Sequence, residues 1–233
     1  MSALVWLAVL AALLMAVNRT LATSLPGELW RPAGDLLIVS VAAMVLAASH
    51  MSDTPLEKSL GLPIMLRKPD HRMPRLVPVR TKVVVSLAFI AAIAVIQVPW
   101  VLQHLGQLGE MTRHAGELWR GVLSSPTTAL LVSLRAGINE EILFRLLLGT
   151  GVFWVMSHFI TVRSRLVWAS AAVSGALFCM ALHPYNVLAA LAGTWLGFVY
   201  LEEGLIPAVF LHFLIDVVWM APVALMQLRW QPM

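Results

Sequence analysis

The chain has 233 residues, 60% of them hydrophobic and only 12% charged. Soluble domains carry roughly 25% charged residues, so this composition excludes an ordinary soluble globule. It points to an all-α fold, a polytopic bundle of about 7–8 membrane helices. The apolar runs do not alternate with polar residues, which excludes an outer-membrane barrel. One cysteine, Cys179, excludes an internal disulfide and any multi-Cys zinc site. The net charge of +4 is too diffuse to indicate nucleic acid as a partner.

In chain order, residues 3–17 are apolar and fall just short of the ~20 that a span needs. They have no basic n-region, so they read as a retained helix rather than a signal peptide. Residues 18–34 form a loop with Arg19, Glu28 and Arg31, broken by Pro26 and Pro32. Residues 36–49 are a second short apolar run, which suits a tilted or protein-covered position. Residues 52–82 are the longest polar stretch. There Lys58, Arg67, Lys68, Arg72, Arg75, Arg80 and Lys82 outnumber Asp53, Glu57 and Asp70, and five prolines prevent a long helix. Excess Lys and Arg beside membrane segments places this loop on the cytoplasmic side. Contact with anionic lipid is the alternative reading of the same charges.

Residues 83–102 are the best single span, with Pro99 set to kink the far end. Residues 106–125 are mixed in character and suit a short interfacial helix. The next helix starts at Pro126, with Ser125 as its cap, and carries the acidic sequence AGINEEILFRLLLGT over residues 136–150. Gly149 and Gly151 are expected to break or re-aim it. Further spans are expected over 166–182, ending at Pro184, and over 187–201, where Gly193 and Gly197 allow close helix packing. Glu202, Glu203 and Gly204 read as a solvated turn before the last span, 205–228. The division is thus an N-terminal set of helices over 1–125 and a core over 126–228.

Several side chains do not belong in lipid, where ionisable groups are costly and usually face a cavity or a partner. Glu141 and Arg145 are four apart on one helix face and can satisfy one another. Glu140 points about 100° away and has no cation in register on its own helix. Arg135, five residues earlier, aligns poorly with it. His212 and Asp216 are again four apart, so the carboxylate can orient the imidazole or join it in binding a metal. Each group alone can be a hydrogen bond to a neighbouring helix. Together, carboxylates and imidazoles from several segments support activation of water, with or without a metal.

The order Glu140-Glu141-x-x-x-Arg145, then Phe178 before His183, then His212-x-x-x-Asp216 resembles the CPBP intramembrane proteases. That family is also called the CAAX-processing protease or bacteriocin-immunity (Abi) family, and it includes the type II CAAX prenyl endopeptidases. The resemblance covers about residues 130–219, including the glycine run before the last helix. It implies an intramembrane endopeptidase that hydrolyses a peptide bond of a membrane-associated peptide or protein. It further implies Glu140 as general base, Glu141 beside it, Arg145 in support and His183 as the histidine of the second motif. His212 and Asp216 would position the carbonyl, stabilise an oxyanion or hold a metal. The resemblance implies either glutamate-dependent hydrolysis without a metal or a divalent ion such as zinc held by Glu140, His183, His212 and Asp216. The implied partners are the lipid bilayer and the substrate, and the implied location is the plasma membrane of a prokaryote, crossed several times. The sequence departs from the family in three places. Phe178 lies five residues before His183 where four is usual, Leu146 replaces a common Gly, and Asp216 stands where Asn is more frequent. Two other classes use similar residues: a non-catalytic scaffold or immunity-type binding protein, and a proton-coupled transporter. The latter commonly shows an inverted repeat, and none is visible here.

Overall fold

The computed structural model describes residues 74–103, 125–183 and 186–229, together with the separate positions 12, 13, 16, 17, 19, 20 and 39. Most of the expected helices at 3–17 and 36–49, the polar segment 52–73 and nearly all of 106–125 lie outside the described residues. The expected total of about 7–8 spans rests on those regions. Every element among the described residues is helical. These are α1 (Val79–Gln103), α2 (Pro126–Glu141), a π-helical segment (Ile142–Gly149), α3 (Thr150–Ser157), α4 (Arg163–Leu182), α5 (Val187–Glu203) and α6 (Leu205–Arg229).

Local chemistry sets several of these ends. Ser125 caps α2 as expected, its hydroxyl accepting from the Thr128 amide at 3.4 Å, and Pro126 stands where a missing N–H costs nothing. The rod does not break at Gly149 or Gly151. It passes from α2 into the π-helical segment and on into α3 with helical backbone angles throughout. What changes is the winding, and it changes at Ile142, next to the acidic pair. α1 likewise runs on past Pro99 to Gln103. Asn186 caps α5, accepting from Ala189 N at 3.1 Å. α5 ends at Gly204, whose φ of 99° is left-handed and favours glycine; its N–H reaches Tyr200 O at 2.8 Å.

Small residues let the helices meet backbone to backbone. A Cβ on Gly175 of α4 would stand 2.4 Å from Thr194 N of α5, and one on Gly197 would stand 3.2 Å from Ala171 Cα. On the other side, Gly137 of α2 lies against Val209 O and Phe213 N of α6, each 3.3 Å from where its Cβ would be. That close approach fixes the register of α2 on α6. Glu141 is one turn beyond Gly137, and His212 lies between Val209 and Phe213.

The buried apolar layer includes Ile138, Ile142, Leu146, Val167, Ala171, Phe198, Tyr200 and Leu205. Outward faces are apolar too: Val84, Leu87 and Val95 of α1, Trp154 of α3, Met180 of α4 and Phe210 of α6 are all exposed. Two stretches, Val79–Ile96 and Arg163–Leu182, are long and apolar enough to cross a membrane, and Leu205–Met220 is a shorter apolar helix.

The Glu202–Glu203 connection is not a solvated turn. Glu202 is fully buried and accepts from Leu76 N at 2.9 Å and Arg163 Nη2 at 3.0 Å, with Lys82 Nζ at 3.5 Å. Glu203 accepts from Arg75 Nε at 2.9 Å and from Lys82. A buried carboxylate requires partners, and the polar stretch before α1 supplies them. Burial alone would raise the Glu203 carboxyl, but the hydrogen bonds from Arg75 and Lys82 hold it below its ordinary value. The hydrogen bond to Glu203 in turn holds the Arg75 guanidinium above its own.

Candidate active site

The site forms where α2 meets α6. His212, only 4% exposed, lies at its centre. Its Nδ1 is 2.8 Å from Glu141 Oε1. Its Nε2 is 3.6 Å from Glu140 Oε2 and 3.7 Å from Asp216 Oδ2. Two successive glutamates therefore address the two nitrogens of one ring. The sequence pairs His212 with Asp216 along its own helix; the shorter contact is the one across to Glu141. Glu140, without a cation in register on its own segment, faces His212 of α6.

Glu141 and Arg145 are both fully buried and form the expected pair, with Arg145 Nε 3.2 Å from Glu141 Oε2. The pair is a charge contact without hydrogen-bond alignment, since neither of those two atoms has a hydrogen-bond partner among the described residues. The guanidinium finds other support. Arg145 Nη1 donates to Ser174 Oγ at 3.3 Å, and its Cζ lies 5.1 Å above the Phe178 ring. Glu140 and Asp216 are more open, with 26% and 19% of their side chains exposed.

His183 ends α4, its N–H bonded to Cys179 O at 2.8 Å, and it is exposed. It reaches the site through Phe178. That ring meets His183 with centroids 5.4 Å apart and meets His212 edge-on at 5.9 Å. The five-residue Phe–His spacing thus still puts both imidazoles against one phenyl ring. Cys179, which holds the usual Phe position, donates its Sγ hydrogen toward the carbonyls of His183 and Asn186 at 3.2 and 3.3 Å.

Among the described residues no group of three or more His, Cys, Asp or Glu is disposed to hold a metal ion. His212 lies within 3.7 Å of Glu140 and Asp216, while His183 is on the other side of the Phe178 ring. The sequence reading missed the importance of Gly137, Phe178 and Ser174. A glycine or serine in an apolar helix gives no local sign of its role. Phe178 was visible only as a spacing marker.

The described residues thus form an apolar helical bundle with carboxylates gathered around an imidazole among its buried residues. The comparison with protein families is more specific. Residues 122–218 match the family model described as type II CAAX prenyl endopeptidase Rce1-like, a membrane-embedded protease family. The matched stretch includes Glu140, Glu141, Arg145, His183, His212 and Asp216, the residues on which the resemblance rests. It supports a protease acting on a peptide or protein. Comparisons with curated proteins and with solved structures give no match.

Proposed function

We propose that the protein is an intramembrane endopeptidase that cleaves a membrane-associated peptide or protein with an activated water. The observation that carries this reading is the meeting of Glu140, Glu141 and Asp216 around the His212 imidazole, in a bundle whose outer face is apolar. A carboxylate paired with a guanidinium accepts and does not donate, so Nδ1 carries the hydrogen of the bond to Glu141. Nε2 faces Glu140 and Asp216. Those gaps of 3.6 and 3.7 Å are too long for direct hydrogen bonds and too short for a water to stand between the atoms, so the attacking water sits on the exposed side of Glu140 and Asp216.

In this mechanism Glu140, the most open of the three carboxylates, takes one proton from that water as its oxygen attacks the scissile carbonyl. The His212 ring lies beside that water, with Nε2 toward Glu140 and Asp216. His183, on the exposed side of Phe178, donates to the oxygen where negative charge develops. The proton on Glu140 passes to the amide nitrogen as the C–N bond breaks, leaving a carboxylic acid and an amine. Glu141, Arg145 and Phe178 do not react; they fix the imidazole in tautomer and orientation.

The core that does this would span 126–228, behind N-terminal helices over 1–125. The basic segment 52–82 would face the cytoplasm of a chain that crosses the plasma membrane several times. Arg75, Lys82 and Arg163, gathered at one end of the bundle around Glu202 and Glu203, support that orientation. The test is cleavage of a membrane-anchored peptide by the reconstituted protein and its Glu140→Gln variant. Loss of cleavage with unchanged insertion and abundance is expected; retained cleavage would remove Glu140 as the base.

A further inference from the structure

The π-helical segment creates a requirement that a side chain outside the three motifs meets. Ser174 of α4 is 2% exposed and bonds in two directions. Its hydroxyl donates to Phe144 O at 2.9 Å, on the π-helical segment itself. The same oxygen accepts from Arg145 Nη1 at 3.3 Å. That is the one hydrogen bond of the Arg145 guanidinium among the described residues, because Nε and Nη2 have none. Gly149 keeps this approach open. A Cβ there would stand 3.1 Å from Phe144 O and 3.4 Å from Ser174 Oγ. Thr150 completes the anchorage, with its hydroxyl 3.4 Å from Arg145 O and also bonded to the Tyr200 hydroxyl.

We infer that Ser174 is a positioning residue for the proposed hydrolysis, setting the orientation of His212 through Arg145 and Glu141. The route is a chain of contacts already given: Ser174 Oγ to Arg145 Nη1, Arg145 Nε to Glu141 Oε2, Glu141 Oε1 to His212 Nδ1. A guanidinium with one hydrogen bond and one loosely aligned charge contact has little else to fix its rotation. Phe178 below it offers a face and no direction, since a cation over a ring is free to turn in the ring plane. Ser174 supplies the direction. By holding Phe144 O it also ties α4 to the stretch whose winding brings Arg145 beneath Glu141. The inference rests on the peptidase reading, in which Ser174 touches neither substrate nor the reacting atoms.

The experiment compares the wild-type protein with Ser174→Ala, Ser174→Thr and Glu140→Gln, all reconstituted in lipid with one membrane-anchored peptide. For Ser174→Ala, kcat per folded molecule is expected to fall about ten- to a hundredfold with KM nearly unchanged, the signature of a displaced group that does not bind substrate. The pH–rate profile should shift as well. Ser174→Thr, which keeps the hydroxyl, should retain most of the wild-type kcat. Should Ser174→Ala fail to accumulate, Ser174→Cys takes its place. It is close in size but a weak hydrogen-bonding group, and the same loss is expected. Wild-type kcat in the hydroxyl-free variant, or equal losses in Ser174→Ala and Ser174→Thr, would overturn the inference. Undiminished cleavage by Glu140→Gln would instead overturn the reading beneath it.

Discussion

Two Glu-Glu pairs stand in the described part of the chain, and their electrostatic settings are opposite. Glu202 and Glu203 receive Arg163, Lys82, Arg75 and a backbone N–H from Leu76. Glu140 and Glu141 have Arg145 and one imidazole to share, and Asp216 competes for that imidazole. The first pair has cations to spare, sits at a helix end and ties the segment before α1 to the core. The second is short of positive charge among the described residues and lies where two helices cross. A saturated cluster has no capacity left for a ligand. An undersupplied one keeps oxygens and a ring nitrogen available for water and substrate. The dipeptide is the same, so the supply of partners separates a clasp from the proposed reaction centre.

The comparison can be broken by mutation, and the largest effect belongs to the reaction centre. His212→Ala removes the ring that all three carboxylates face. Product formation per folded molecule should drop about a thousandfold, read from time courses with the reconstituted protein. A drop of less than tenfold would place the chemistry elsewhere. Next comes Glu202→Gln, which leaves Arg163 and Lys82 short of a buried counter-charge and should cost about 3–5 kcal/mol. Thermal unfolding in detergent would show it, while kcat of the folded fraction stays at the wild-type value. If kcat fell with stability, the two pairs would not be separable.

Acid should distinguish the pairs more gently. The Glu203 carboxyl is held below the ordinary value of 4.5, so its contribution to stability is complete above that pH and is lost as pH falls through the lower folded value. Midpoints of unfolding measured on both sides of pH 4.5 should reveal an acid-side loss, weakened in Glu203→Gln. The smallest effect is expected from Arg75→Ala, since a side chain 41% exposed contributes only about 0–1 kcal/mol through its ion pair.

The contrast also shows what was legible in the sequence. The helices are, because apolar runs and caps are local signals: the apolar run 83–102 lies within Val79–Gln103, and Ser125 is a capping residue type that caps α2. Glu141 with Arg145 was legible for the same reason, as a pairing within one turn. Glu202 was not. Its partners Leu76 and Lys82 lie more than a hundred residues upstream, and locally a Glu-Glu-Gly sequence looks like any exposed turn. Gly149 and Gly151 suggested a break, yet the rod changes its winding instead, with Ser174 and Thr150 hydroxyls bonding its carbonyls. The glycines that matter most, Gly137 and Gly175, are read only from the backbone each touches.

The central claim is that the pair short of partners performs hydrolysis. It is tested most directly by incubating the reconstituted protein with a membrane-anchored peptide in water enriched in heavy oxygen, and weighing the products by mass spectrometry. The account predicts two fragments, with solvent oxygen in the new C-terminal carboxyl group, and neither fragment from Glu140→Gln. Intact peptide after incubation with the folded wild-type protein, or labelled fragments made equally well by Glu140→Gln, would contradict it.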